Sequence, residues 1–230
     1  MLVAKEPQTK RKILIVDDHG VFREGLIRIV NQEKDLSVCG EATDAVEALE
    51  QVPRLKPDLV MVDISLEGMN GIDLTKSLRE RFPKVRILVL SMHKESLYAE
   101  RALRAGANGY IMKRESGQKL LSAIRHVLDG QTYVSEELNR VIIERLSHPG
   151  GDQGASTVDR LSDRELEVFR LIGQGYGTRQ IADSLHLSMK TVESHRENIR
   201  TKLNLQSTFE LVQHAIHWSF NETDPSKPSA

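Results

Sequence analysis

The sequence predicts two units: a doubly wound α/β unit with a five-stranded parallel sheet, and an all-helical unit after it. The chain has 230 residues, which exceeds one domain of roughly 100–200 residues. Up to residue 130, short runs rich in Val, Ile and Leu alternate with amphipathic segments of helix length, a pattern typical of a parallel sheet covered on both faces. After residue 160 only helical patterns remain.

In the first unit, each of five strand-like runs is followed by a predicted helix. The runs read KILIVDD, LSVCGEA, DLVMVD, RILVLS and GYIMK. The helices are predicted over residues 21–30, 45–55, 72–81, 96–105 and 119–128, with a further helix over 136–146. The segment SHPGGDQGASTVDR then lacks the residues that bury apolar area, which favours a flexible linker at 147–160.

The second unit begins with a capping box, in which Glu165 follows Ser162 by three residues. The glycine run at 173–177 ends this helix. Because the run follows a helix and lacks a GK[ST] ending, a turn is favoured over a phosphate-binding loop. The remaining predicted elements are helices at 178–185, 189–203 and 208–220, with a turn at 186–188. The predicted divisions are a loose extension (1–10), the α/β unit (11–130), a helix and linker (131–160), the helical unit (161–220) and a disordered tail (221–230).

Composition excludes several classes of protein. Lys+Arg 32 against Asp+Glu 33 gives a net charge of -1, so bulk charge indicates neither nucleic acid nor membrane. No apolar run approaches the ~20 residues of a membrane span, and we expect no membrane contact. A single cysteine, Cys39, and no signal-peptide pattern predict a cytoplasmic protein.

Polar side chains follow four of the strand-like runs. They are Asp17 and Asp18, Asp63, Ser91 and Lys113. The carboxyl ends of parallel strands meet at one edge of a sheet, so we expect one site. Three carboxylates and one ammonium leave a net charge of −2, which a hard divalent cation such as Mg²⁺ would balance. Asp63, on the central strand and before a Gly- and Asn-containing loop, should face solvent and act as a nucleophile toward phosphorus.

Each residue has an ordinary structural alternative when it is taken singly. Asp18 could cap a helix, Lys113 could be a solvated charge at a strand end, and Ser91 could form a turn. Their joint placement at four strand ends is much less expected by chance.

These residues, with Asp63 in VMVDISLEGMNG, resemble the receiver domain of two-component response regulators, a flavodoxin-like fold, over residues 11–130. The resemblance implies Mg²⁺-dependent phosphoryl transfer from a sensor histidine kinase to Asp63. It also implies metal ligation by Asp18, Asp63 and the carbonyl of Ser65, with Asp17 assisting, and inward movement of Ser91 and Tyr110 on phosphorylation. Two positions depart from the family. Glu67 stands where the family often has proline. Arg114 follows the lysine, where the family usually has a proline that supports a cis peptide bond.

The helix at 189–203 has one apolar and one polar face. Val192, Ile199 and Leu203 lie on the apolar face; Lys190, Ser194, Glu197 and Thr201 lie opposite, flanked by Glu193 and Asn198. This helix follows a short helix and a tight turn, and its polar face is free. The arrangement favours a helix-turn-helix that enters the DNA major groove. The alternative is that this face is a solvated surface of a small bundle. The charge count supports it, because residues 155–220 carry eight Lys and Arg against eight acids and so have no excess of positive charge.

Residues 161–204, LSDRELEVFRLIGQGYGTRQIADSLHLSMKTVESHRENIRTKLN, resemble the LuxR-type helix-turn-helix. The combination resembles the NarL/FixJ class, a phosphorylation-controlled transcription regulator that binds promoter DNA and is a homodimer when phosphorylated, often through its last helix. The resemblance implies base contacts by Glu193, Ser194 and Glu197. It implies phosphate contacts by Thr178, Lys190, Thr191, His195 and Lys202. Glu197 could accept a hydrogen bond from cytosine N4 or form a surface ion pair with Arg200 or Arg196.

Two other functions use similar residues. A Mg²⁺-dependent phosphohydrolase usually has a second acid two residues after the nucleophile, where this chain has Ser65. A receiver that no longer accepts phosphate is disfavoured by the complete set of Asp18, Asp63, Ser91 and Lys113. We therefore predict a regulator and not an enzyme.

Overall fold

The computed structural model describes residues 10–66, 68–92, 95–140 and 157–223. The chain divides into two compact units, Met1–Ile142 and Ile143–Ala230. The predicted loose extension up to residue 9, most of the predicted linker, the second half of the helix predicted over 136–146, and residues 224–230 of the predicted tail lie outside the described residues. Among the described helices, none combines the length and the apolar character that crossing a membrane requires.

The first unit is a five-stranded parallel sheet with order β2-β1-β3-β4-β5, which confirms the predicted fold class. The strands are β1 Arg11–Val16, β2 Leu36–Ala42, β3 Leu59–Asp63, β4 Arg86–Ser91 and β5 Gly109–Met112. The helices are α1 Gly20–Asn31, α2 Ala45–Leu55, α3 Gly71–Arg81, α4 Glu95–Arg104 and α5 Gly117–Leu128. Three begin at local caps: Asp44, Asn70 and Ser116 each accept a hydrogen bond from a backbone N–H of the first turn.

The sheet order determines where the functional residues lie. Strand β3 is central, between β1 and β4, and all five of its residues are buried. The carboxyl ends of β1, β3, β4 and β5 are therefore neighbours at one edge of the sheet. This edge is where Asp17, Asp63, Ser91 and Lys113 follow or end their strands.

The first unit extends beyond its predicted end at residue 130. The Tyr133 carbonyl accepts a hydrogen bond from the Tyr110 N–H at 2.8 Å, and the Tyr133 N–H donates to the Asn108 carbonyl at 3.1 Å. These bonds hold the segment after α5 against the edge strand β5, and sequence patterns do not show them because a single residue forms the pairing.

The second unit consists of four helices within the described residues, preceded by a 3-10 turn. They are α6 Asp163–Gly173, α7 Thr178–Ser184, α8 Met189–Lys202 and α9 Thr208–Thr223, and the turn is Thr157–Arg160. The predicted capping box is present, with Ser162 and Glu165 bonded reciprocally. The linker prediction extended too far, because Val158 in the 3-10 turn is 3% exposed and belongs to a packed segment.

A single aromatic cluster joins α6 to α9. The Phe169 ring lies 5.4 Å from the ring of Trp218 and 6.0 Å from that of His214. Leu211 and Ala215 are fully buried on the same helix. Trp218 is the only tryptophan of the chain, so its fluorescence reports on the packing of the second unit.

Replacing Gly173 with Ala is expected to destabilise the second unit. A Cβ at this position would lie 2.1 Å from Ser219 Oγ and 2.4 Å from the Ala215 carbonyl oxygen, so α9 would have to shift away from α6. Overpacking of this kind costs about 1–3 kcal/mol. Urea unfolding followed by Trp218 fluorescence measures the loss.

Gly177→Ala is the matched control, because its added Cβ would meet Gln180 Oε1 at an ordinary 3.6 Å. The control should lower the unfolding midpoint less than Gly173→Ala. Equal midpoints for the two variants would contradict the close approach of α6 and α9.

Candidate functional site

Three of the predicted residues meet at the carboxyl edge of the sheet. Lys113 Nζ lies 2.8 Å from Asp17 Oδ2 and 2.8 Å from Asp63 Oδ2. Its ammonium also lies 4.7 Å from the centre of the Phe22 ring. Strand β5 thus delivers a positive charge between the acids that follow β1 and end β3, as the sequence pattern predicted.

The Asp63 carboxylate is buried, which corrects the expectation that it faces solvent. The side chains of Asp17 and Asp63 are each 2% exposed, and that of Lys113 is 4% exposed. Lys113 bridges the two carboxylates and covers them. Burial raises the pKa of Asp63 to about 6; the Lys113 charge opposes this effect and the Asp17 charge adds to it.

Ser91 and Tyr110 lie in the interior next to this cluster. Both residues are 0% exposed, and their side chains are joined by a hydrogen bond. Burial raises the pKa of the Tyr110 hydroxyl. The inward position that the resemblance assigns to the phosphorylated state is therefore already occupied by Tyr110 in this structure.

His19, which sequence reasoning missed, lies beside the three carboxylates. Its Nδ1 is 2.6 Å from Asp18 Oδ1, 3.3 Å from Asp17 Oδ1 and 3.7 Å from Asp63 Oδ2. The Asp17 carboxylate also accepts a hydrogen bond from the His19 N–H at 2.9 Å, which fixes the turn before α1. The sequence signal that could have indicated this position was a histidine directly after the two aspartates.

Two local features near the site are the start of α1 after Asp18 and the peptide bond before Arg114. Asp18 does not cap α1, because the N-cap residue is His19 and no side chain accepts a capping bond there. No cis peptide bond occurs among the described residues, so the bond between Lys113 and Arg114 is trans. Ser65 follows β3 in a half-buried position, and Glu67 lies outside the described residues.

The acidic cluster has the composition of a divalent-cation site. Asp17, Asp18, His19 and Asp63 each offer one ligand atom, and these atoms lie within 4.8 Å of one another. With His19 neutral, the three carboxylates exceed the single Lys113 charge by two. Hard carboxylate oxygens in negative excess fit Mg²⁺.

Asparagine at position 63 is expected to stabilise the metal-free protein at neutral pH. An acid whose pKa is about 6 when folded and near 3.8 when unfolded contributes stability that is fully present below pH 3.8 and lost as the pH rises through 6. Asp63→Asn removes this loss, by about 1–3 kcal/mol at pH 7.5.

Urea unfolding in the presence of EDTA, followed by circular dichroism between pH 4 and 7.5, measures the difference. The gap between variant and wild type should shrink as the pH falls below 5. A gap of the same size at pH 4 and pH 7.5 would show that the raised pKa of Asp63 is not its source.

The faces of α8 agree with the predicted pattern. Val192, Ile199 and Leu203 are 0–8% exposed and pack inward. The opposite residues, Lys190, Glu193, Ser194, Glu197, Asn198 and Thr201, are all exposed. The preceding turn contains His186 in the left-handed region, with φ of 52°, and joins α7 tightly to α8.

Several of the predicted DNA-contacting residues also bond within the protein. The Thr178 hydroxyl donates to Glu193 Oε1 at 2.7 Å and so ties α7 to the exposed face of α8. Lys202 Nζ donates to Glu165 Oε2 at 2.6 Å, which directs this ammonium toward α6. Glu197 forms an ion pair with Arg200 at 3.3 Å, which is one of the alternatives that the sequence analysis gave for this residue.

The other predicted residues of this surface differ in exposure. Lys190 is exposed, whereas His195 is half-buried and its pKa is lowered by burial and by the Arg164 charge. Ser194 Oγ donates to the Lys190 carbonyl, and the Thr191 N–H donates to Ser188 Oγ at the start of α8. On the α7–α8 pair, Lys190 is thus exposed and Thr178 is half-buried.

Two family models match the chain, one on each side of the division between the two compact units. Residues 13–125 match the response regulator receiver domain. Residues 159–215 match the luxR family of bacterial regulatory proteins.

Two of three similar proteins extend over about nine tenths of the chain. Oxygen regulatory protein NreC of Staphylococcus aureus (strain JH9) is 41% identical over 209 residues, which cover 89% of this chain and 96% of that protein. Among solved structures, RcsB from Salmonella enterica serovar Typhimurium, bound to promoter rprA in the presence of phosphomimetic BeF3-, superposes with a TM-score of 0.60 at 25% identity, over 90% of this chain and 99% of that one. A LuxR-family two-component response regulator from Aurantimonas sp. SI85-9A1 has a TM-score of 0.56 at 34% identity, over 60% of this chain and 99% of that one.

Proposed function

This chain belongs to the response regulators that join a receiver domain to a LuxR-type DNA-binding domain, and on that premise we propose how its residues accept a phosphoryl group and bind DNA. It is a phosphorylation-regulated transcription regulator. The observation that carries the proposal is the convergence of Asp17, Asp63 and Lys113, with Nζ of Lys113 at 2.8 Å from both carboxylates.

Asp63 is the phosphoacceptor. One of its carboxylate oxygens attacks the phosphorus of a phosphohistidine on a sensor histidine kinase; a P–O bond forms, the P–N bond breaks, and the imidazole of the kinase leaves. The Lys113 ammonium stabilises charge on the phosphoryl oxygens. The Ser91 hydroxyl, 0% exposed and bonded to Tyr110, supplies a hydrogen bond from the next strand.

Asp17, Asp18, Asp63 and the Ser65 carbonyl would hold Mg²⁺. The ion, when bound, would neutralise the negative excess and the charge that develops on the transferred phosphoryl group. Lys113 is held in place by Asp17, so the ammonium stays beside Asp63 whether or not a phosphoryl group is present.

The exposed face of α8 enters the major groove. We assign Glu193, Ser194 and Glu197 to base contacts, and Thr178, Lys190, Thr191, His195 and Lys202 to phosphate contacts. Lys202 would exchange its bond with Glu165 for a bond to a phosphate. The bond from Thr178 holds the Glu193 carboxylate on this face, where it can accept from cytosine N4. The similar RcsB protein is bound to promoter DNA in its structure, which supports DNA binding by this chain.

Phosphorylation favours a homodimer on promoter DNA. Phe209 at the start of α9 is 69% exposed, while Leu211 and Ala215 of the same helix are buried, so α9 has apolar surface left for a second copy. A regulator that meets a histidine kinase and promoter DNA acts in the bacterial cytoplasm.

The protein acts as a switch and not as a turnover enzyme. Ser65 stands two residues after Asp63, where a phosphohydrolase of this type has an acid. Phosphate release from acetyl phosphate distinguishes the two functions: a switch retains about one phosphoryl group per chain, whereas a phosphohydrolase releases many.

The test of the proposal is DNA selection by the purified full chain, with and without acetyl phosphate and Mg²⁺, followed by Kd measurement on the selected site at fixed salt. We expect phosphodonor to tighten binding roughly 5- to 150-fold, the usual range of coupling between two sites. Sedimentation measures the dimer in parallel. Unchanged affinity and unchanged association state would refute phosphoryl control.

A further inference from the structure

The position of His19 adds a nitrogen to the proposed cation site. Its Nδ1 faces one oxygen of each of Asp17, Asp18 and Asp63, at 3.3, 2.6 and 3.7 Å. The His19 side chain is 61% exposed, whereas that of Lys113 is 4% exposed. No other described histidine belongs to a cluster of this kind.

The 2.6 Å separation between His19 Nδ1 and Asp18 Oδ1 is that of a hydrogen bond or ion pair, and a bound cation would replace the proton in it. The 3.3 Å separation from Asp17 Oδ1 is close to that of two ligands of one ion. Two ligands each about 2.1 Å from an octahedral cation lie about 3 Å apart when they are neighbours. The three distances from Nδ1 surround this value. The imidazole could therefore share a cation with these oxygens after small side-chain adjustments.

We propose that His19 Nδ1 is a direct ligand of the divalent cation and gives the site a preference for Mn²⁺ over Mg²⁺ that three carboxylates alone would lack. This inference rests on the proposed function, because it takes the metal site of the receiver as given. Imidazole suits transition metals, whereas Mg²⁺ prefers oxygen ligands and retains water.

The first consequence is a spectroscopic one. Bound to the full-length protein, Mn²⁺ should show ¹⁴N modulation in pulsed electron paramagnetic resonance, because a directly coordinated imidazole nitrogen couples to its electron spin. The modulation should vanish in His19→Ala and persist in the matched control His126→Ala, which changes a histidine on α5 outside the cluster. Absence of ¹⁴N modulation in the wild type, or its survival in His19→Ala, would overturn the assignment.

The second consequence is selective. By calorimetry, His19→Ala should weaken Mn²⁺ binding about tenfold, the lower range for loss of a metal-supporting residue, and change Mg²⁺ binding less than threefold. Equal loss for both ions would show that His19 only shapes the site. Phosphorylation of Asp63 with Mg²⁺ is measured separately, so a failure of phosphoryl transfer refutes the proposed function without altering the nitrogen signal.

Discussion

Asp63→Asn is expected to abolish phosphorylation, with incorporation from acetyl phosphate or a histidine kinase falling at least 100-fold. The amide is nearly isosteric with the carboxylate but has no anionic oxygen to attack phosphorus. Phosphoprotein gels and intact mass measure the incorporation.

Two variants separate the nucleophile from its surroundings. Lys113→Met should reduce incorporation but not abolish it, because Asp63 remains and only the stabilising ammonium is lost. Asp58→Asn, at a half-buried position whose carboxylate pairs with Arg11, should leave incorporation unchanged. Wild-type labelling of the Asp63→Asn protein would remove Asp63 from its proposed role.

The acidic site could be predicted because the topology of a parallel sheet determines which residues meet. Once DD was placed after β1 and Asp63 at the end of β3, their proximity followed from strand order alone. Burial did not follow. It depends on side-chain directions such as that of Lys113, whose ammonium lies 2.8 Å from both carboxylates.

His19 could not be placed for a related reason. In the sequence it is one residue past the acids, in a turn whose path is unspecified until the His19 N–H bonds to Asp17 at 2.9 Å. That bond turns the chain back over the site. Periodicity assigns helices and strands but does not describe single turns of this type.

The charge count of the second unit also concealed a distinction that only packing reveals. Glu165 and Glu167 were counted as acids equal to those on the surface, yet they are 4% and 1% exposed. Each is paired with a base, Lys202 and Arg164 respectively. These acids stabilise the bundle, but each pair removes a base from the count as well as an acid, so the remaining charges stay balanced. The position of each charge, and not the count, bears on a DNA-binding face.

Arg164→Met is expected to lower the free energy of unfolding of the second unit by about 3 kcal/mol, because removing one partner of a buried ion pair leaves a charge poorly compensated. Arg164 Nη1 lies 2.8 Å from Glu167 Oε2, and the side chains are 13% and 1% exposed. Arg164 Nη2 also donates to the Leu185 carbonyl at 2.9 Å, at the end of α7. Its loss should therefore loosen the end of α7 and also remove the cation that pairs with Glu167.

Trp218 fluorescence during urea unfolding measures this effect, and two further variants isolate its cause. Arg200→Met breaks the exposed pair with Glu197 and should cost less than 1 kcal/mol. Arg164→Met combined with Glu167→Leu should recover stability, since the apolar pair leaves no buried charge. If the double variant is as unstable as Arg164→Met, the bond to the Leu185 carbonyl is the main contribution. An unfolding midpoint of Arg164→Met equal to that of the wild type would mean that neither contact stabilises the packing of α6 against α7.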